Sequence, residues 1–278
     1  MFLFEHGFRS FLVMALVAGL VGLLVLIPLW PTKQGGRALL RRWQIAEPAD
    51  EQIAHAVTYL RRRRFWYPVL FVLIPLVAGL LFEGSTTGFP VFVMILFGGG
   101  LLAELLALRP NEHRVREAVL VRRGVLDVVP QWGLVVHAVV AVLALAVASA
   151  NAAGRGSIVE GSATAFVGVP LCAALVAIVL WAAVARPADG DVELDRVLRV
   201  RSGRIALALG TVLQAALLST ACQSLEGAAL PAQAPGWVVG TADLTRPLGL
   251  AVSVLSIVVW LVLARPPRRA QRTAVAVA

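Results

Sequence analysis

Long uninterrupted runs of apolar residues dominate the chain, separated by short segments in which arginines and turn-forming residues collect. A helix needs about 20 mostly apolar residues to cross a hydrocarbon layer of about 30 Å. Runs such as 139–145 lack the alternation of apolar and polar positions found in the strands of membrane barrels. We therefore predict an all-α, polytopic helical bundle with about seven transmembrane helices, at 11–30, 66–82, 89–108, 132–150, 163–185, 205–222 and 248–264.

A proline follows four of these runs at nearly constant intervals. Pro31, Pro110, Pro187 and Pro266 lie 79, 77 and 79 residues apart. This period predicts a lead helix followed by three parallel repeats, each a basic loop and a helical hairpin of about 78 residues. The predicted units are the lead transmembrane helix 1–30, the repeats 31–109, 110–186 and 187–265, and a basic cytoplasmic tail 266–278.

A second proline series has the same period. Pro90, Pro170 and Pro247 follow members of the first series by 59, 60 and 60 residues. Proline is tolerated in the first turn of a helix because the N–H group that it lacks has no partner there. We expect each of these prolines to open the second helix of its hairpin.

Each basic loop also contains a stretch with helical periodicity. In the first loop, Ile53, Ala56 and Leu60 share one helical face after the acidic start at 50–51, and 111–119 and 189–198 follow a similar pattern. We expect these apolar faces to rest on the lipid headgroup boundary or against the helix bundle. A docking surface for a cytoplasmic partner is the alternative.

The composition agrees with a membrane location. Apolar residues make up 59% of the 278 residues and charged residues 15%, and the mean hydropathy is +0.83. An average soluble domain has about 25% charged residues. A soluble fold of this length could not hide so much apolar surface from water, which excludes an ordinary water-soluble domain.

The basic residues are distributed unequally between the two ends of the predicted spans. Twenty-two of the 25 Lys and Arg residues fall in 31–65, 109–131, 186–204 and the tail from residue 265. The positive-inside rule places these segments in the cytoplasm, with the N-terminus outside and the C-terminus inside. We predict that they contact anionic headgroups of the cytoplasmic face or a membrane-protein partner, and no nucleic acid. The candidate contact residues are Arg61, Arg62, Arg63, Arg64, Arg122 and Arg123.

Arginine outnumbers lysine by 24 to one, a usage typical of GC-rich genomes. Together with the charge distribution, it predicts a multi-pass protein of the plasma (inner) membrane of a GC-rich bacterium.

Three polar residues within the predicted spans are the candidate intramembrane site. Glu104 and His137 lie at similar predicted depths near the cytoplasmic boundary, and they could meet if the third and fourth spans pack together. Alternatively, Glu104 extends towards Arg109 while His137 bonds to a backbone carbonyl. Gln214 lies near the predicted midplane, where it either joins two helices or contacts a solute.

The sequence contains no recognisable catalytic motif. HExxH, GxSxG and P-loop patterns are absent, and His137 is the one histidine among four within a predicted span. We predict no catalytic residue, metal site or cofactor, and no enzymatic activity. The main hypothesis is a subunit or accessory of a membrane assembly. The alternative is a small-solute or ion transporter or channel with a path lined by Glu104, His137 and Gln214.

Overall fold

The computed structural model describes residues 13, 16–17, 19–20, 23–24, 30–81, 89–107, 116–117, 124–158, 160–185, 188–189, 191–226 and 236–267, with backbone alone at 71, 74–81, 89–95, 116–117, 160 and 188–189. The described positions between 13 and 24 are helical, and Gly19 packs against Val72. Seven helices follow: α1 (Lys33–Arg42), α2 (Asp50–Leu81), α3 (Phe89–Ala107), α4 (Gln131–Arg155), α5 (Glu160–Ala185), α6 (Val192–Glu226) and α7 (Gly236–Leu263).

Four of these helices, α4 to α7, are long and apolar enough to cross a membrane. They account for the last four of the predicted spans. The side chains of the first three predicted spans are described only in part, so their membrane-crossing role stays a prediction. In α3, the described apolar stretch is Leu96–Ala107.

Two of the predicted loop helices are the first turns of longer helices. α2 runs from Asp50 through the predicted second span, and α6 runs from Val192 through the predicted sixth. The predicted apolar face of α2 packs against protein, because Ile53, Ala56 and Leu60 belong to a buried cluster shared with α1 and α6. The structure therefore shows that this face contacts the helix bundle.

The stretch 111–119 differs from the expected helix at its two described residues. Arg116–Glu117 (β1) is extended and pairs antiparallel with Ala188–Asp189 (β2). In the register of this pair, Arg116 lies opposite Asp189 and Glu117 opposite Ala188. This bridge links the segment before α4 to the segment before α6.

Two of the three hairpin prolines do not occupy the predicted position. Pro90 is the second residue of α3, as expected, whereas Pro170 and Pro247 lie inside α5 and α7. The prediction is wrong for these two because both helices begin about ten residues before their proline, at Glu160 and Gly236. Each interior proline lacks the N–H that would bond to the carbonyl four residues before it.

Helix α6 forms the centre of the bundle. It packs against α3, α4, α5 and α7. In its most apolar stretch 78% of the residues are buried, against 28–39% in α4, α5 and α7. The three consecutive hairpins α2–α3, α4–α5 and α6–α7 each pack internally, but they are not equivalent, because one helix of the last hairpin is surrounded by the others.

The cap that begins α6 is formed by Asp191. Its Oδ1 accepts hydrogen bonds from the backbone N–H groups of Glu193 (2.9 Å) and Leu194 (3.1 Å), and its Oδ2 accepts one from Gln52 of α2. Burial alone would raise the pKa of Asp191, but these hydrogen bonds lower it below its ordinary value. The cap therefore ties the start of α6 to the first turn of α2.

Candidate functional site

Glu104, one of the three predicted site residues, lies at the centre of a buried polar cluster. Its side chain is fully buried, and Oε2 accepts a hydrogen bond from the Tyr59 hydroxyl (2.7 Å) and from the Ser202 hydroxyl (3.0 Å). The guanidinium Nε of Arg63 lies 2.5 Å from Oε1, in an ionic contact that lacks hydrogen-bond geometry. The carboxylate thus joins α2, α3 and α6.

Arg201 of α6 completes this cluster. Its Nη1 donates a hydrogen bond to the Tyr59 hydroxyl (3.0 Å), and its guanidinium carbon lies 5.4 Å from the centre of the Tyr59 ring. Arg63 therefore contacts the buried carboxylate directly, whereas Arg201 is linked to it through the Tyr59 hydroxyl. We call Tyr59, Arg63, Glu104, Arg201 and Ser202 the α2–α3–α6 cluster.

The sequence analysis identified the carboxylate of this cluster but not its partners. Tyr59 and Arg63 are four residues apart, a spacing that places both side chains on one face of a helix and could have indicated them together. Arg201 and Ser202 carry no such signal, because the contacts of Arg201 with Tyr59 and of Ser202 with Glu104 depend on the packing of α6. Arg109, the alternative partner of Glu104, lies outside the described residues.

The predicted contact arginines differ in exposure. Arg61 is exposed, Arg62 and Arg64 are half-buried, and Arg63 is turned inward to Glu104. The pKa of Arg64 is lowered by burial and then by the nearby charges of Arg63 and Arg201, so positive charge is concentrated in this middle part of α2. Arg122 and Arg123 lie outside the described residues.

Two other arginines of α6 bind the last turns of neighbouring helices. Arg199 pairs with Asp195 (2.6 Å) and donates to the carbonyls of Ala183 (2.9 Å) and Val184 (3.3 Å), at the end of α5. The final carbonyls of a helix have no partners within it and carry partial negative charge, which suits a guanidinium group. Arginines that the sequence analysis used only to orient the protein thus hold helices together.

Arg204 makes the same kind of contact with α7. Its Nε donates to the carbonyl of Leu263 (3.0 Å) and its Nη2 to that of Val262 (3.2 Å). The end of the bundle that contains the α2–α3–α6 cluster, Arg199 and Arg204 is called the basic end below.

The second predicted residue, His137, binds α6 at a different level. Its Nδ1 lies 3.3 Å from Thr211 Oγ1, and the Thr211 hydroxyl lies 2.8 Å from the carbonyl of Leu207, to which it donates. His137 Nε2 is buried and has no hydrogen-bond partner in the described part of the chain. Helix α4 therefore contacts α6 through a hydroxyl rather than through the backbone carbonyl that the alternative interpretation expected.

Gln214, the third predicted residue, is fully buried in α6. Neither its amide nitrogen nor its amide oxygen has a hydrogen-bond partner among the described residues. Buried polar groups are usually paired, and those that are not require an explanation in function, bound water or ligand. Nearby, the Cys172 thiol of α5 lies 3.4 Å from the carbonyl of Gly210 and donates to it.

The structure does not bring Glu104 and His137 together. Their hydrogen-bond partners on α6, Ser202 and Thr211, are nine residues apart. At 100° and 1.5 Å per residue, this spacing corresponds to opposite faces of the helix and to about 13 Å along its axis. Glu104 thus belongs to the α2–α3–α6 cluster, whereas His137 contacts α6 at the level of Thr211, three residues before Gln214. We call this level of the bundle the layer between α4 and α6.

The described residues contain no group of three or more His, Cys, Asp or Glu side chains able to hold a metal ion. The arrangement joins helices and provides unpaired hydrogen-bonding atoms at one buried level.

No protein-family model, no curated protein and no solved structure matches this chain.

Proposed function

We propose that the chain is a non-enzymatic multi-pass membrane protein and a subunit or accessory of a larger membrane assembly. The observation that carries this proposal is the use of the charged residues at the basic end. Glu104, Arg199 and Arg204 all bind other parts of the same chain, which suits a structural bundle. We extend the four apolar helices to seven spans and three repeats, with the N-terminus outside and the C-terminus in the cytoplasm of a bacterial inner membrane.

The outer faces of α5 and α7 supply surfaces on which a partner could bind. Trp181 of α5 is 68% exposed, and Leu244 and Leu250 of α7 are 63% and 71% exposed. Lipid tails cover such faces as well as another helix does, so exposure alone does not identify the occupant. A subunit requires that a helix of another protein cover at least one of them.

Site-specific photo-crosslinking in the membrane tests this role. A photoreactive residue would replace Leu250 or Trp181, with Val252 of α7, which is buried, as the matched control. We expect one exposed position to give a discrete protein adduct, and the Val252 position to give none. Lipid adducts alone from both exposed positions would contradict the subunit role.

The second candidate function is a small-solute or ion transporter or channel, and the unpaired amide of Gln214 favours it. A buried amide without a partner within the membrane is expected where a solute binds. Glu104 argues against a path that includes all three predicted residues, because its carboxylate is already bound by three side chains.

Flux measurements in proteoliposomes distinguish this alternative from the main proposal. Proton or monovalent-cation flux that disappears in His137→Ala and Gln214→Met would support the transporter. The subunit role predicts that the wild-type protein and both variants show the same background flux.

A further inference from the structure

The layer between α4 and α6 contains more unpaired buried polar atoms than any other part of the described structure. His137 Nε2 and both amide atoms of Gln214 have no hydrogen-bond partner there. The two side chains are 8% and 0% exposed. Lipid offers no hydrogen bonds to compensate for such atoms, so their retention in the interior requires a partner.

The hydrogen bonds around Thr211 determine which atom of the His137 ring is the acceptor. The Thr211 hydroxyl proton is used by the Leu207 carbonyl, so Thr211 Oγ1 can only accept from His137 Nδ1. A neutral imidazole with its proton on Nδ1 has a lone pair on Nε2. His137 therefore offers a hydrogen-bond acceptor to this layer.

The helical register brings Gln214 close to this ring. The ring lies against Gly210, whose added Cβ would be 3.1 Å from His137 Cε1, and it bonds to Thr211. Gln214 is four residues after Gly210 and three residues after Thr211, so it lies on the same face of α6. Long side chains on a helix slant back towards the helix N-terminus. The amide thus extends over the turn that the imidazole contacts, but the two groups form no hydrogen bond.

We propose that His137 and Gln214 hold a buried water molecule that bridges α4 and α6. The bridge needs a molecule that donates to Nε2 and to the amide oxygen while accepting from the amide N–H, and water does all three. Among the described residues, the polar side chains at this layer are those of His137, Cys172, Thr211 and Gln214, and none of them is an Asp, Glu, Lys or Arg that could balance an ion. The close packing of α4 and α5 on Gly210 favours the smallest such molecule.

This inference does not depend on a partner or on transport, since the site lies within one chain. Histidine-selective ¹⁵N NMR of the full-length protein in lipid nanodiscs tests it. The chain has four histidines, and His137→Gln identifies the signal of interest. We expect an Nε2 shift typical of a hydrogen-bonded acceptor and a cross-peak between His137 and water.

Two variants of α6 sharpen this test. Gln214→Met keeps the length of the side chain without its hydrogen bonds and should weaken the water cross-peak at least several-fold. Gln223→Leu removes an exposed amide from the same helix and should leave the cross-peak unchanged. A wild-type spectrum without a water contact at His137, or one that Gln214→Met leaves unaltered, would overturn the proposal.

Thermal unfolding gives an independent readout that does not need the NMR signal. If water satisfies the amide, Gln214→Met removes favourable hydrogen bonds and lowers the Tm. If the amide has no ligand, the same substitution removes an unsatisfied polar group from the interior and raises the Tm. A higher Tm for Gln214→Met than for the wild type would therefore also refute the bound water.

Discussion

The environment of Glu104 shows what a fully buried carboxylate requires at the residue scale. Two hydroxyl groups and one guanidinium group contact its two oxygens, so both α2 and α6 contribute to the stabilisation of this α3 side chain. The Arg63 side chain in this ion pair is also largely buried, with 15% of its surface exposed. Removing one partner of such a pair costs more than the pair contributes, since the other charge is left buried.

We predict that Glu104→Gln destabilises the protein by on the order of 3 kcal/mol, because Arg63 would keep its buried charge without a counter-charge. Thermal unfolding in detergent or nanodiscs measures the change, and Glu47→Gln, at an exposed position, is the control. The double variant Arg63→Gln/Glu104→Gln should recover part of the loss. A Glu104→Gln variant as stable as the wild type would show that the pair is not energetically coupled.

Sequence reasoning finds the polar residues of this protein more easily than their partners. Glu104, His137 and Gln214 are recognisable because each interrupts an apolar run, and all three are buried in the structure. Their contacts depend on how distant helices pack. Ser202 is 98 residues from Glu104, and Thr211 is 74 from His137. No local sequence pattern predicts a contact between two residues that are so far apart in the chain.

At the element scale, the close approach of helices to α6 depends on positions without a side chain. A Cβ at Gly210 would collide with Val176 of α5 and would lie 3.1 Å from His137 of α4. Gly100 of α3 packs against Leu209 in a related way, with 3.1 Å from its added Cβ to the leucine. Central packing of α6 therefore requires small residues on several of its interfaces.

We expect Gly210→Ala to destabilise the bundle by about 1–3 kcal/mol, because the added methyl group would separate α6 from two neighbours. The matched control is Gly240→Ala in α7, where an added Cβ meets nothing within 4 Å. That substitution should be neutral or slightly stabilising, since alanine favours helix more than glycine does. Equal unfolding temperatures for the two variants would contradict the close contact at Gly210.

Sequence patterns predicted the apolar helices better than their boundaries. Hydrophobic length identifies α4, α5, α6 and α7 directly, because lipid-spanning helices need long apolar runs. The same signal does not show where a helix continues into polar sequence. The first turns of α2 and α6 are polar but helical, since their apolar residues pack on one another. The prediction that Pro170 and Pro247 open their helices was wrong because the sequence signal did not show how far each helix extends before its proline.

At the scale of the whole molecule, contacts at both ends of the bundle agree with alternating helix directions. Leu263 binds Arg204 at the basic end, while Asn151 and Arg155 bind Ser224 at the other end. The ends of α4 and α6 thus meet at the face opposite the α2–α3–α6 cluster. This grouping supports the proposal that the arginine-rich segments share one side of the membrane.

The proposed orientation predicts the labelling of single cysteines in intact cells. A membrane-impermeant maleimide should modify Ser157→Cys in intact cells. It should modify Arg61→Cys only after permeabilisation, because positively charged segments stay in the cytoplasm. Both positions are exposed, and the native Cys172 and Cys222 are buried free thiols, which limits background labelling. Labelling of Arg61→Cys in intact cells would reverse the orientation.

The arginine contacts of α6 have a consequence for the order in which the protein assembles during synthesis. The carbonyls at the end of α5 are synthesised before Arg199, so the hydrogen bonds between them form only after Arg199 has been added to the chain. Arg204 emerges before the carbonyls of Val262 and Leu263, which it binds. We therefore expect Arg204 to gain these two hydrogen bonds only after α7 has been synthesised and has packed against α6.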